Sequence, residues 1–232
     1  MGTEEKMYCY EYPHPSVTTD CVIFGFDGTK LSVLLIKRGV EPYEGKWAFP
    51  GGFLKMEEDA ETGAKRELQE ETGLEDAYMR QFHTFSAPER DPRERVITIA
   101  YYALVRMQEV KGGDDAAEAR WFTLDKVPQL AFDHDRILRK AEQALRQQIH
   151  FEPVGFELLP EEFTIKELQN LYEAILGVRF DRRNFYNKMK RLGMLEQLGE
   201  TVNPSQKKEA FLFRFNKAKY DELKQKGFRL EF

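Results

Sequence analysis

The chain opens with two apolar stretches separated by a turn. Residues 17–26 and 31–37 are β-branched and apolar, and the intervening Asp-Gly-Thr-Lys at 27–30 is a turn-forming sequence. This pattern predicts a β-hairpin. Further strand-like segments lie at 79–86, at 95–106 and from Arg120 onward.

Two segments of the first half instead have helical periodicity. Ala60, Ala64 and Leu68 recur at i, i+4 and i+8 within 59–71, and Gly73 stands where a helix stop belongs. The segment 135–148 repeats its apolar residues with the same spacing. Strands that alternate with helices predict an α/β domain over 1–149, with a mixed sheet between helices.

A second pattern follows a predicted linker at 150–160. Within 161–232, Thr164 can cap a helix that ends at Gly177, and another helix follows Asp181. Short strands near 195–198 and 211–215 complete a helix, helix and hairpin order. This order predicts a small α+β winged helix-turn-helix domain.

Length and composition agree with two cores. The chain has 232 residues, of which 41% are hydrophobic. No apolar run approaches the roughly 18 residues of a membrane span, and the N-terminal segment lacks the apolar region of a signal peptide. We therefore expect a soluble, cytoplasmic protein without a membrane partner, in which Cys9 and Cys21 are ordinary thiols.

Charge is divided unequally along the chain, whose net charge is −5. Residues 1–154 hold 20 Lys and Arg against 28 Asp and Glu, whereas residues 178–229 hold 14 against 6. An acidic first part joined to a basic second part is typical of a protein with a nucleic-acid-binding end.

The first predicted helix carries a cluster of carboxylates. Glu67, Glu70 and Glu71 have i, i+3 and i+4 spacing, which places them on one helix face within about one turn. Like charges at this spacing repel one another, and Arg66 offsets the repulsion only in part. Because hard oxygen ligands suit Mg²⁺, the cluster predicts a site for Mg²⁺ or Mn²⁺; the alternative is a solvated charged face.

The sequence around these carboxylates resembles the Nudix hydrolase signature, G-x5-E-x7-R-E-U-x-E-E-x-G-U, where U is aliphatic. All nine specified positions across 23 residues match. They are Gly52, Glu58, Arg66, Glu67, Leu68, Glu70, Glu71, Gly73 and Leu74. The resemblance implies a Nudix fold and metal-dependent hydrolysis of a diphosphate linkage.

By this resemblance, Glu67, Glu70 and Glu71 are metal ligands, and the Gly51 carbonyl is available as a further oxygen. Arg66 and Glu58 would hold the loop and helix together. Glu70 is our choice of general base, although members of this family recruit the base from different places. Glu57 departs from the glycine that is usual in relatives, which alters the loop more readily than the chemistry.

Residues 86–95 resemble the proline-containing segment of ADP-ribose-handling Nudix proteins. Arg90, Arg93 or Arg95 could bind a second phosphate or a ribose; alternatively, the loop pairs its charges internally. We expect Trp47 to be a core residue rather than a stacking surface. Asp115 and Glu118 could add a carboxylate to the site, although a solvated loop is the favoured reading.

The helix after Asp181 has a basic face. Phe185, Met189 and Leu192 fall at i, i+4 and i+7 and should face the core. The remaining polar residues would then form a recognition helix, and two lysines in the last hairpin would act as a wing. The residues expected to contact DNA are Arg182, Arg183, Asn184, Asn187, Lys190, Arg191, Lys207 and Lys208.

Segments 158–164, 168–177 and 181–185 are similar to the C-terminal domain of the Nudix-related transcriptional regulators of the NrtR family. The resemblance implies a homodimer that binds palindromic double-stranded DNA and responds to a nucleotide-type small molecule, often ADP-ribose. In a related branch, the same architecture senses arabinose with a Nudix site that has lost its catalytic residues.

Three hypotheses remain at this point. The chain is an active hydrolase that also regulates transcription, or a non-catalytic transcription factor that senses ADP-ribose or a sugar. In the third, the C-terminal domain only dimerises or contacts protein. The intact signature favours the first.

Overall fold

A mixed β-sheet forms the framework of the first domain in a computed structural model, which describes residues 8–74, 77–107, 116–152, 154–201 and 211–227. Within these residues the sheet has seven strands, with β3-β2-β1-β6-β5 as its main path, β4 beside β1 and β7 beside β2. The strands are β1 (Ser16–Phe26), β2 (Leu31–Arg38), β3 (Trp47–Ala48), β4 (Gly51–Phe53), β5 (Tyr78–Phe85), β6 (Val96–Leu104) and β7 (Ala116–Thr123).

Strand β1 organises this sheet because it pairs with three others. It is antiparallel to β2 and β4 and parallel to β6, where Ser16 lies opposite Val96 and Phe24 opposite Leu104. Residues 18–26 of this strand are buried because helices cover both faces of the sheet, which explains its continuous apolar run. The predicted hairpin and mixed sheet are therefore confirmed.

The two sheet faces pack against different helices. Val22 and Phe24 belong to a core cluster that includes Ile137 and Leu145 of helix α2 (His134–Gln148). Cys21 and Ile23, which point to the opposite face, belong to the cluster under helix α1 (Ala60–Thr72). The two-residue alternation of a strand thus supplies one cluster to each helix.

The C-terminal residues form the predicted winged helix. Helices α3 (Ile165–Leu176) and α4 (Arg182–Leu192) are followed by strands β9 (Leu195–Thr201) and β10 (Phe211–Phe215). The short strand β8 (Glu162–Thr164) pairs with β10, so the order is β8-β10-β9. A final helix, α5 (Lys217–Gln225), follows the hairpin.

Helix starts and stops in this domain follow the sequence signals. Thr164 and Glu167 form a reciprocal capping box at the start of α3, and Gly177 ends the helix in the left-handed conformation. Asp181 caps α4 by accepting from the Asn184 amide, and Gly193 ends it. Both helix predictions are confirmed.

The segment 150–160 joins the two domains as part of a shared core. Val154, Leu158 and Leu159 are buried, and Arg106 donates to the Leu159 carbonyl at 2.8 Å. The same hydrophobic cluster runs from the sheet through α2 into α3. The winged helix is therefore packed against the first domain rather than tethered to it.

Several short elements were absent from the sequence prediction. Strands β3, β4 and β8 contain two or three residues, too few to show periodicity, and α5 was not foreseen. Strand β7 begins at Ala116 rather than at Arg120. In the described part of the chain, no helix has the length and apolar character needed to cross a membrane.

Candidate functional site

Helix α1 presents the signature residues because both of its ends are fixed. The Asp59 carboxylate accepts from the Thr62 amide at 2.8 Å, and Gly73 adopts a left-handed φ of 69° at the C-terminus. Ala64 and Leu68 are buried against the sheet. The opposite side of the helix therefore carries its acidic residues toward the loop that follows β4.

Arg66 forms hydrogen bonds to three acidic residues around this helix face, which together with it form the Arg66 hub. Its guanidinium binds both oxygens of Glu58, with distances of 3.0 and 2.6 Å. The Nη1 atom also donates to Glu67 at 2.7 Å and to Glu70 at 2.8 Å. Its fourth partner is the Phe53 carbonyl, which accepts from Nη2 at 3.2 Å. One side chain thus holds the loop and the helix together, as the signature implied.

The charges of this hub are strongly coupled. Hydrogen bonds from Arg66 and from the Lys55 amide lower the pKa of Glu58 to about 2. Burial raises the pKa of Glu67, an effect that Arg66 opposes. Glu58 is therefore stabilised as an anion, whereas burial disfavours the ionised form of Glu67.

Glu71 occupies the most buried position of the acidic group. Its Oε2 atom accepts from the Gly51 amide at 2.8 Å. Burial, together with the nearby charges of Glu67 and Asp20, raises its pKa to about 8. A cation at this place would relieve the repulsion among these three carboxylates.

Glycine at position 52 permits the close approach of the loop to the helix. A Cβ atom built on Gly52 would overlap the Glu67 carboxylate, and one built on Gly51 would overlap the Thr19 carbonyl. No larger residue fits either position without displacing a neighbour. The signature glycine is therefore explained by packing against a proposed metal ligand.

The donor set fits a hard divalent cation in its chemistry, because it consists of carboxylates in a partly buried, mutually repulsive group. Among the described residues, however, no three acidic, histidine or cysteine side chains converge closely enough to enclose an ion. The reason is visible in the contacts: Arg66 engages Glu67 and Glu70, whereas Glu71 turns toward Gly51.

A cleft of about 380 Å³ opens beside the acidic face. Its wall includes Glu67, Glu70 and Glu71 together with groups from β1, β2, β4, the 86–95 loop and the start of α2. The hydroxyl of Thr18, which lines this cleft, is buried and has no hydrogen-bond partner in the described region. A polar ligand could supply that partner.

Arg90 lies in this wall, but its charge is used internally. It donates to Asp133 at 2.8 Å and to Asp20 at 3.3 Å, and its side chain is only 4% exposed. His134 completes the cluster: its Nδ1 accepts from the Phe49 amide at 3.0 Å, and its Nε2 lies 3.5 Å from Asp20. Arg90 therefore fits neither alternative: it is buried, and its partners lie in β1 and before α2 rather than in the loop.

The other two arginines of the loop differ in position. Arg93 lines the cleft and pairs with Asp91 at 2.8 Å. Arg95 donates to the Ala87 carbonyl and is not part of the cleft wall. Only Arg93 is therefore placed to meet a ligand directly.

Sequence reasoning missed several residues that line the cleft: Asp20, Arg38, Phe53, Phe132 and His134. None belongs to the signature. A buried charge within the apolar β1 sequence was the one available signal for Asp20. The others depend on which loops the fold brings together.

The remaining residues singled out from the sequence are Trp47, Glu118, Asp115 and Glu57. Trp47 lies outside the cleft wall and is half-buried at the edge of the core, where it packs edge-on against Phe122 with a ring-centroid distance of 4.8 Å. Glu118 lies in β7 rather than in a loop and pairs with Arg120 at 2.6 Å. Asp115 is outside the described residues, and Glu57 is exposed in the turn before α1.

The exposed face of α4 carries the residues expected to contact DNA. Phe185 and Met189 are buried, as the periodicity predicted, whereas Leu192 is only half-buried. No ion pair engages the basic residues of this face within the described chain. The six exposed residues are Arg182, Arg183, Asn184, Asn187, Lys190 and Arg191. Lys207 and Lys208 lie outside the described residues.

Family models match both domains. A NUDIX domain model covers residues 14–141, and a model of the NrtR DNA-binding winged helix domain covers residues 155–215. An ADPR-responsive transcriptional repressor of Acinetobacter baylyi is 34% identical over 216 residues, which span 91% of this chain and 86% of the relative. The chain belongs to the NrtR family.

Two other comparisons extend this assignment. An ADP-ribose pyrophosphatase of Methanocaldococcus jannaschii is 42% identical over 128 residues, or 55% of this chain and 73% of that protein. Shewanella oneidensis NrtR in complex with a 27mer DNA matches with a TM-score of 0.76 and 27% identity, covering 92% of this chain and 97% of that one. The Methanocaldococcus enzyme therefore matches about half of this NrtR family member, whereas Shewanella NrtR matches nearly all of it.

Proposed function

We propose that this protein is a transcriptional regulator that binds operator DNA through its winged helix and binds and hydrolyses ADP-ribose in its Nudix cleft. The observation that carries the proposal is an intact signature helix lining a cleft in a domain whose core continues into the DNA-binding domain. The ADPR-responsive repressor of Acinetobacter and the ADP-ribose pyrophosphatase of Methanocaldococcus support ADP-ribose as the ligand.

The proposed hydrolysis uses the acidic face of α1. Glu67, Glu70 and Glu71, with the Gly51 carbonyl, would hold Mg²⁺ or Mn²⁺. When bound, such an ion neutralises phosphate oxygens and lowers the pKa of a water molecule. Arg66 and Glu58 keep the loop on the helix, so the carboxylates face the same cleft.

Glu70 is the residue we propose as general base. Its side chain is 43% exposed, against 13% for Glu67, so it can reach a water molecule in the cleft. Its Oε2 also receives a hydrogen bond from Arg66, which fixes the carboxylate relative to Glu67. A base must lie within hydrogen-bond reach of the water that it deprotonates.

The proposed DNA contacts are those of the exposed α4 face. Its guanidinium and amide groups can read base edges in the major groove, and its lysine can bind phosphate. Lys207 and Lys208 would contact the backbone as a wing. We also propose that the protein is a cytoplasmic homodimer, because two winged helices match the two halves of a palindromic operator.

A direct assay tests the enzymatic half. ADP-ribose and Mg²⁺ are incubated with the wild type and with the Glu70→Gln variant, and release of AMP and ribose 5-phosphate is followed. We expect cleavage by the wild type and a loss of at least about 100-fold in the variant. Equal, background-level cleavage by both proteins would reject hydrolysis.

A non-catalytic sensor is the second candidate. It is favoured by the lack of a convergent carboxylate trio in the described chain. Operator release by ADP-ribose that is recovered uncleaved would establish this alternative. Release accompanied by cleavage would establish the proposed dual function.

A further inference from the structure

The turn between helices α3 and α4 is fastened by side chains of α3. Residues 178–180 belong to neither helix, so the amide and the carbonyl of Phe180 have no helical ladder to join. The Phe180 amide donates to Glu173 at 2.9 Å, and the Phe180 carbonyl accepts from Gln169 Nε2 at 2.9 Å. The residue just before the cap of α4 is therefore held by α3 through both of its polar backbone groups.

The two side chains that hold Phe180 also bind each other. Gln169 and Glu173 lie at i and i+4 on α3, and Gln169 Nε2 donates to Glu173 Oε1 at 2.9 Å. The same Oε1 atom accepts from the Phe180 amide, whereas Oε2 accepts from Arg179 at 2.6 Å. Hydrogen bonds from Gln169 and from the Phe180 amide lower the pKa of Glu173. Gln169, Glu173 and Phe180 thus form a closed ring of hydrogen bonds, which we call the turn clamp.

The ring of Phe180 extends the clamp into α4. Its centroid lies 5.5 Å from that of Phe185, a buried residue of α4, and Phe185 packs edge-on against Tyr172 of α3 at 5.8 Å. Because Asp181 is the cap, Phe180 and Phe185 occupy the two positions of a hydrophobic staple, which fixes the angle at which a chain enters a helix. Backbone and ring of Phe180 together set the direction of α4 relative to α3.

Helix α3 is itself anchored to the first domain beside the clamp. Asn170, the neighbour of Gln169, donates from Nδ2 to the Gly28 carbonyl in the turn between β1 and β2 at 3.1 Å. Arg182 and Arg183 begin α4 directly after the clamp and its cap, and both are exposed. The N-terminal residues of a recognition helix are those that contact base edges. A displaced turn would therefore move these residues first.

The ion pair between Glu173 and Arg179 does not account for this arrangement. The Arg179 side chain is 90% exposed, and a pair with so exposed a partner adds little to stability. Glu173, by contrast, is buried, and its Oε1 atom is the acceptor for two donors of the clamp. Removing this acceptor would deprive the Phe180 amide of its α3 partner and release the turn.

We propose that Gln169 and Glu173 are positioning residues for sequence recognition: by holding Phe180, they set where the N-terminus of α4 enters the major groove. This inference rests on the proposed function, because it requires α4 to read DNA. Base contacts need a fixed helix position, whereas long cationic side chains can reach phosphates from several positions. Loss of the clamp therefore lowers the preference for one sequence more than the affinity for DNA in general.

The test measures binding of the full-length protein to two duplexes of equal length by fluorescence anisotropy. One duplex is the sequence that the wild type selects from a randomised pool, and the other is unrelated to it. The variants are Glu173→Ala, Gln169→Ala and Glu173→Gln, of which the last keeps the Oε1 acceptor and loses only the bond to Arg179. Melting temperatures and ADP-ribose hydrolysis are measured for each protein.

Thr164→Ala is the matched control for stability. It removes the side chain that caps α3, so it destabilises the same helix without touching the clamp. A residue with a purely structural role would behave as this control does.

We expect Glu173→Ala and Gln169→Ala to bind the selected duplex about tenfold more weakly or worse, and the unrelated duplex less than about threefold more weakly. Glu173→Gln should stay within about threefold of the wild type for both duplexes. Thr164→Ala should melt at a lower temperature and keep the wild-type preference. Hydrolysis of ADP-ribose should be unchanged in all four variants.

Unchanged preference in both alanine variants of the clamp, or an equal loss for both duplexes, would overturn the positioning role. The same holds if Thr164→Ala loses preference equally, because stability alone would then explain the effect. A loss in Glu173→Gln as large as in Glu173→Ala would assign the effect to the ion pair and reject the clamp. If Glu173→Ala does not fold, Gln169→Ala decides. A wild type that selects no sequence from the pool would instead overturn the proposed DNA recognition.

Discussion

Arg146, in the last turn of α2, donates from Nε to the carbonyl oxygen of Ile175 in α3 at 3.0 Å. Helix α2 begins at His134, in the wall of the cleft, and ends at this contact with the winged helix. A single rigid helix therefore touches the ligand site at one end and the DNA-binding domain at the other. This gives the proposed regulator a physical route between its two sites.

The first prediction concerns this route. Arg146→Met removes the hydrogen bond to Ile175 while keeping most of the apolar stem. We expect ADP-ribose to lower operator affinity several-fold less in this variant, with hydrolysis of ADP-ribose unchanged. Arg139→Met, an exposed arginine on the same helix, is the matched control. A wild-type ligand response in Arg146→Met, measured by fluorescence anisotropy with labelled operator, would contradict the coupling.

The second prediction concerns the hub at Arg66. Glu58→Gln removes the charge that Arg66 binds through two hydrogen bonds, so Arg66 should compete more strongly for Glu67 and Glu70. We expect kcat for ADP-ribose hydrolysis to fall about tenfold or more. Glu57→Gln, which changes an exposed neighbour in the turn, should retain wild-type kcat. Equal kcat values in the two variants would refute the positioning role.

The third prediction follows from the close approach at Gly52. Gly52→Ala places a methyl group where the Glu67 carboxylate lies, so Glu67 must move away. Because the displaced atoms are at the end of a flexible side chain, we expect little change in melting temperature. Titration calorimetry should show Mn²⁺ affinity reduced by at least about tenfold. Gly199→Ala, where nothing lies within 4 Å of the new atom, should bind Mn²⁺ normally.

The fourth prediction is a pH dependence of stability. Burial lowers the pKa of His134 below its ordinary value of 6.5. Nearby carboxylates raise this pKa, and nearby arginines lower it. The unfolded chain therefore binds a proton first as pH falls. The contribution of His134 to the free energy of unfolding should decrease below about pH 6.5 and level off once the folded histidine is protonated. Glu71, whose pKa is raised to about 8, makes an opposite contribution over the same interval, so the His134 effect is measured as a difference between two proteins. The charged groups around it are Asp20, Arg90, Asp133 and Arg38.

Denaturant unfolding at pH 7 and pH 5 measures this effect. His134→Gln keeps a neutral acceptor for the Phe49 amide and cannot be protonated, so its stability relative to the wild type should rise from pH 7 to pH 5. His83→Gln removes an exposed histidine and should behave as the wild type does. Identical pH slopes for the wild type and His134→Gln would show that His134 is not responsible.

The fifth prediction separates two kinds of DNA contact on α4. Lys190→Ala should weaken binding to all sequences and lower the slope of log affinity against log salt by about one. Asn187→Ala should leave that slope unchanged and reduce the preference for the operator over unrelated DNA. Lys140→Ala, an exposed lysine on α2, is the control for charge removal. A uniform loss in both α4 variants would contradict this division.

The sequence alone determined the elements with long periodic patterns and strong boundary residues. Asp59 and Gly73 fixed α1, and Thr164, Gly177 and Asp181 fixed the helices of the second domain, because caps act through local hydrogen bonds and local φ angles. The signature spacing similarly placed Glu67, Glu70 and Glu71 on one helix face. These features depend on neighbours within a few residues.

Tertiary structure decided which distant groups meet. Asp20 in β1, Arg90 in a loop and His134 at the start of α2 form one buried cluster only because the sheet places their segments side by side. The same packing placed Arg95 outside the cleft and Phe132 within its wall. Such contacts join residues up to 114 positions apart along the chain, as Asp20 and His134 show, so no local pattern could encode them.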